Sequence, residues 1–218
     1  MSVPNQYRIP KLPKQEWTDA AREVHAFWGE PNAWEEGSKT EIMNVMANHP
    51  PLAMVYNNFG KHFLMSNTLS TRQLEIMILR IARLANSPYE WHNHVGYGIN
   101  AGLTLDDIAA IRDFPEGNPF GEEETALISV CNELVGQNNI SDDTWARLSK
   151  TLNRQQLMDC VFTVGHYVMT SWALSAFGVP LEGGADAIGF DLKTRSGATP
   201  GKTFKPGEVE DWTSTRGY

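Results

Sequence analysis

Hydrophobic residues recur along most of this chain at three- and four-residue intervals, the spacing of one face of an α-helix. After Thr18, which is placed to cap a helix, Ala21, Val24, His25 and Trp28 keep that spacing until Gly29 and Pro31 end it. A loop to about Lys39 precedes a helix over Glu41 to Ala47. Pro50 and Pro51 then reset the chain, and Leu52, Val55, Tyr56, Phe59, Phe63 and Leu64 mark a helix reaching Met65. The stretch Ser70 to Ala85 begins with a capping serine, and its interior is built of good helix formers. Its apolar residues cover most of the circumference, which predicts a central helix. Asn86 and Pro88 stop it, and Ser87-Pro88-Tyr89-Glu90 opens another that runs to about Asn100 and ends at Gly102.

Further helices are predicted over Ile108 to Phe114 behind a Thr104–Asp107 cap, over Glu122 to Val135, from a cap at Ser141 through Leu148, and over Gln155 to Phe177 behind Asn153. No run of alternating β-branched residues competes with helix, so the fold class is all-α. Outside the periodic region, residues 1 to 16 carry Pro4, Pro10 and Pro13 and read as an extended arm. Residues 17 to 181 read as one helical domain. From Glu182 to Tyr218 no period is left, so this tail is expected to lie over the surface or over a neighbouring subunit.

The formal net charge of -8 offers no basic surface for a polyphosphate, so no nucleic-acid partner is expected. The first residues lack an apolar signal-peptide core, and no segment approaches the ~18 consecutive apolar residues of a membrane span. A cytoplasmic protein without a membrane partner is therefore expected. Cys131 and Cys160 are far apart and sit in apolar helical patterns, which makes them small core residues.

Three ionisable residues gather at one helix junction. Glu75 interrupts an apolar run, and Glu90 and His94 are four apart on the next helix, hence on one face. A carboxylate among Leu74, Ile76, Met77 and Ile78 is costly to bury unless it is paired, and burial would raise its pKa toward the range of proton transfer. Structural alternatives exist for each. Glu90 has the spacing of a capping box with Ser87, His94 could be a satisfied core histidine, and Glu75 could pair at the surface with Arg72 or Arg80. His92 and His94 are two apart and point to opposite sides, unlike ligands at i and i+4. A mixed site of Glu75, Glu90, His94 and His166 lacks a recognisable ligand spacing, so no metal is expected.

The stretch Ser70 to Thr104, STRQLEIMILRIARLANSPYEWHNHVGYGINAGLT, resembles the signature of the carboxymuconolactone decarboxylase and alkylhydroperoxidase-D-like family. In that family a helix Glu is followed by a helix-start motif, commonly Cys-x-x-Cys-x-x-x-His in the peroxidase branch. Glu75, Ser87, Glu90 and His94 fall on those places in turn. Weaker similarity extends from about residue 40 to 180, including the closing VGHYVMTSWALSAFGVPL. The resemblance implies an alkylhydroperoxidase-D-like helical bundle. With Ser87 and Glu90 at the two cysteine places, thiol peroxidase chemistry is disfavoured. Glu90-x-x-x-His94 is similar to the decarboxylase branch, which implies a cofactor-free lyase acting on a small carboxylated or lactone substrate, as in aromatic-compound degradation. The roles implied are catalytic for His94, Glu75 and Glu90 and substrate-binding for His166, Tyr89 and Trp91. The family's members are commonly trimers or hexamers, which implies a homo-oligomer. An isomerase or hydrolase on a related substrate, or a non-catalytic oligomeric binding protein, is the alternative. A cation for a substrate carboxylate is also expected, with Arg72, Arg80, Arg83 and Lys61 as candidates.

Overall fold

The apolar stripes read from the sequence become ten α-helices in the computed structural model, which describes residues 7–182. They are α1 (Asp19–Ala26), α2 (Ala33–Glu36), α3 (Glu41–Met46), α4 (Pro50–Lys61), α5 (Thr71–Leu84), α6 (Pro88–Asn100), α7 (Leu105–Asp113), α8 (Glu122–Gln137), α9 (Asp142–Leu148) and α10 (Arg154–Phe177). Among the described residues there is no β-strand. No helix there is long and apolar enough to cross a membrane.

Helix α5 is the hub, as its near-continuous apolar circumference requires. Leu74, Met77, Ile78 and Ile81 face one core cluster, shared with α8 and α10. Ile76, Leu79 and Ala82 face a second, shared with α6, α7 and α8. A third cluster joins α1, α3 and α4. Burying a large aliphatic side chain stabilises by roughly 1.5–3 kcal/mol, so the unbroken buried run from Leu74 to Ala82 makes α5 the main anchor. Its start is fixed by Ser70, whose hydroxyl accepts from the Gln73 N–H while the Gln73 side chain accepts from the Ser70 N–H.

Two details depart from the sequence expectations. The loop before Lys39 contains the short α2. The helix expected to reach Met65 ends at Lys61 and widens into a π-helical turn over His62–Ser66. There α10 intervenes: Asp159 pairs with His62 Nε2 at 2.7 Å and accepts from the Thr68 N–H and hydroxyl, also at 2.7 Å. These side-chain bonds hold the chain away from a regular α-turn. The proline-rich arm, from residue 7, lies along the body, with the Arg8 and Ile9 amides on the Phe177 carbonyl and a 3-10 turn at Lys14–Glu16. From residue 183 the expected tail lies outside the described residues.

Candidate active site

The connection between α5 and α6 is only Ala85 to Ser87, closed by the Ser87 N–H on the Ala82 carbonyl at 2.9 Å, with Asn86 in the left-handed region at φ 50°. So short a link folds α6 back along α5 and sets the second turn of α6 beside the first turns of α5. Glu75 and His94 thereby meet: His94 Nδ1 is 2.8 Å from Glu75 Oε2, with both residues buried, at 6% and 3% exposure. An ionised Glu75 can only accept, which puts the proton on Nδ1 and leaves Nε2 turned to the other side of the ring. On that side Glu90 Oε2 lies 3.6 Å away, too long for a hydrogen bond. Glu90 and Nε2 thus address the same small volume without closing on each other.

Burial dominates the electrostatics. It pushes the Glu90 carboxyl up to about 7, with the charges of Glu75 and Glu182 acting in the same direction and His94 opposing. For His94 burial would disfavour the cation, yet the charge and hydrogen bond of Glu75, with the charge of Glu90, outweigh it and hold the imidazolium above its ordinary 6.5. His166 has no such partner, and burial together with the nearby His94 charge lowers it to about 4, so it is neutral at pH 7. Two histidines of one cavity are therefore poised oppositely.

These groups line a cavity of about 730 Å³. Over the dyad, Tyr97 and Tyr167 meet the His94 ring edge-on, each with centroids 5.3 Å away. His166 is stacked on Phe63 at 4.7 Å and on Tyr56 at 5.4 Å, and the Tyr56 hydroxyl is 3.0 Å from Thr170 Oγ1. Gly60 of α4 packs beside the ring, where a Cβ would stand in ordinary contact with His166 at 3.4 Å. The lining also includes Trp28, Lys39, Tyr89, Asn93 and Glu182.

Of the six residues singled out from sequence, Glu75, Glu90, His94, His166 and Tyr89 line this cavity. Trp91 does not: it is packed into the α5–α6–α7 core with Ile76, Leu79 and Val95, and its substrate-binding assignment is corrected. The reason is helical geometry, because the residue after Glu90 is turned by ~100° from the cavity face. The Ser87–Glu90 capping box is also absent, as the Ser87 side chain makes no cap bond. None of Arg72, Arg80, Arg83 and Lys61 lines the cavity. Arg72 is bonded to Glu124 and the Gly102 carbonyl, and Arg80 to Asn132 and the Ile111 carbonyl. Among the described residues, Lys39 is the one Lys or Arg on the cavity wall.

Sequence reasoning passed over Asn93, Tyr97, Tyr56, Tyr167 and Glu182. Asn93 and Tyr97 could have been found, since positions 90, 93, 94 and 97 form one helical face. Tyr56 and Tyr167 carry no local signal, because the folding of α4 and α10 brings them in. Cys131 and Cys160 are both in the α5–α8–α10 core, away from the cavity lining. Burial pushes both thiols up, Cys160 to about 12, which is opposite to what a reactive cysteine needs.

No protein-family model matches the chain, and no curated protein matches it. Solved structures do. An uncharacterized peroxidase-related protein of Ralstonia eutropha JMP134, with an alkylhydroperoxidase AhpD core, superposes with a TM-score of 0.69 over 84% of this chain and 95% of its own, at 8% identity. A peroxidase-related protein of Silicibacter sp. TM1040 gives 0.65 over 83% and 98%, at 12% identity. A protein of unknown function from Agrobacterium tumefaciens, provisionally described as an antioxidant defence protein AhpD, gives 0.59 over 63% and 95%, at 16% identity. The fold of this chain is accordingly the all-helical, alkylhydroperoxidase-D-like bundle that its α5–α6 signature resembles.

Proposed function

We propose that the protein is a cofactor-free acid/base enzyme, a decarboxylase-like lyase acting on a small carboxylated or lactone substrate. The observation that carries this reading is the buried Glu75–His94 dyad opening through Nε2 onto a cavity that also holds Glu90. In decarboxylation the bond to the departing carboxylate breaks, carbon dioxide leaves, and the electron pair passes into a conjugated carbonyl as an enolate that must be protonated. His94 Nε2–H delivers that proton. Glu75 keeps the ring oriented and favours its cationic form, and Glu90, pushed up to about 7, is the second proton carrier. The neutral His166 is available to donate a hydrogen bond to developing enolate charge. Thiol-dependent peroxide reduction, which the names of the structural neighbours bring to mind, finds no support in two buried thiols away from the cavity. A purely binding role would suit an exposed Glu75 remote from His94, the opposite of the geometry found.

The test is turnover of a panel of carboxymuconolactones and related lactone acids, with carbon dioxide and product followed by mass spectrometry. His94→Ala is expected to lose about 10²–10⁴-fold in rate, the usual contribution of a positioned acid or base, and Glu75→Gln somewhat less, with folding retained. No turnover of any lactone acid by the wild-type protein would remove the lyase reading.

The same proposal includes self-association. Val55 and Phe59 of α4 and Met158, Phe162 and Trp172 of α10 form an apolar surface, with Val55 69% and Trp172 67% exposed. Phe59 and Phe162 are in edge-to-face contact across it. Large exposed apolar side chains on two helices joined by the Phe59–Phe162 contact mark an interaction face, and a second copy of the chain is the partner proposed.

A further inference from the structure

Glu182 begins the segment read from sequence as a surface tail, yet its carboxylate is inside the cavity. Oε1 accepts from the Tyr89 hydroxyl and, at 2.7 Å, from the Glu41 N–H, while Oε2 lies 3.3 Å from Asn93 Nδ2. Tyr89 is 6% exposed, so this is a built recess and not a surface encounter. A carboxylate leaves water only where donors replace its hydration, and here three donors, two from α6 and one from the start of α3, converge on one. Tyr89 and Asn93 are one turn apart on α6, and each is the immediate neighbour of a site residue, Glu90 and His94. A carboxylate in this recess therefore stands within a small molecule's length of the proton-transfer groups.

We infer that the recess formed by Tyr89, Asn93 and the Glu41 amide is the subsite for a substrate carboxylate, and that Glu182 is its internal occupant, displaced when substrate enters. This rests on the proposed acid/base reading and narrows its substrate class. Three donors stabilise a carboxylate as a carboxylate, so the group held here is one the reaction keeps. The group that departs as carbon dioxide has to lie over His94, away from these donors. The substrate is thus an acid with a retained carboxylate at one end and the reacting carbon at the other. Exchange of Glu182 for that carboxylate leaves the charge of the recess unchanged, so the retained carboxylate adds no net negative charge, and the departing one is the charge that the His94 cation faces.

Propionate reproduces the Glu182 side chain beyond Cα and is the probe. Its affinity is measured by calorimetry on the full chain as wild type, Glu182→Ala, and Glu182→Ala combined with Tyr89→Phe or with Asn93→Ala, each checked for helix content by circular dichroism. Glu182→Ala is expected to bind propionate at least about tenfold more tightly than wild type, about 1.4 kcal/mol, and either second substitution is expected to abolish the gain. Equal affinity in wild type and Glu182→Ala, or a gain that survives both second substitutions, would overturn the inference. The readout is binding alone, so failure of every lactone acid to turn over would sink the acid/base reading and leave the subsite standing.

Discussion

At the scale of single residues, the site depends on what burial does to three ionisable groups. His94 is held above its ordinary 6.5 by Glu75, against the pull of desolvation. In Glu75→Gln only the charge of Glu90 is left to oppose desolvation, so the His94 ring signals in an NMR titration are expected to move to lower pH. A titration unchanged by the substitution would deny Glu75 its role. The sign for stability follows: since the folded value of His94 is raised, its contribution is full below the unfolded pKa and is lost as pH rises through the folded one. In the rate profile, Glu90 and His94 titrate as a coupled pair. Because the Glu90 charge helps raise His94, Glu90→Gln is expected to shift the alkaline limb of kcat/KM to lower pH. Glu75 could be found from sequence because a lone carboxylate in an apolar run needs a reason to be there. Trp91, read beside Tyr89 as a substrate contact, is turned on α6 into the core with Ile76 and Leu79, and Glu182 was missed because nothing local distinguishes it.

At the scale of elements, nearly every helix could be read from period and caps, and the exceptions have causes. The turn at His62–Ser66 answers to Asp159, more than 90 residues away, and α2 is too short to show a period. The packing of α5 on α6 and α7 gives a quantitative check at Gly98. A Cβ there would stand 3.0 Å from Leu103 Cδ1 and 3.1 Å from Leu79 Cδ1, both in a filled core. Overpacking typically costs about 1–3 kcal/mol, while Ala for Gly in a helix returns about 1. Gly98→Ala is therefore expected to lower stability by about 1 kcal/mol in denaturant unfolding, whereas propensity alone would raise it. A stabilised variant would show that the two leucines yield freely.

At the scale of the whole molecule, the proposed self-association through the exposed apolar residues of α4 and α10 has a direct test. Trp172→Glu, alone or with Phe162→Glu, is expected to reduce the mass measured by light scattering to that of one chain, 24.4 kDa, without loss of helix. A wild-type protein already at that mass would remove self-association from the proposal. The site itself is divided unequally along the chain. The groups proposed to move protons lie on α5 and α6, 19 residues from Glu75 to His94, and α6 adds Tyr89, Asn93 and Tyr97 to the wall, while much of the rest comes from α3, α4, α10 and Glu182. A two-helix hairpin that carries its own reactive pair can be inherited, or transplanted, as one cassette. Descendants of such a chain could exchange the surrounding helices and so change what is accepted while the means of moving a proton stayed fixed, and a designer has the same division to exploit.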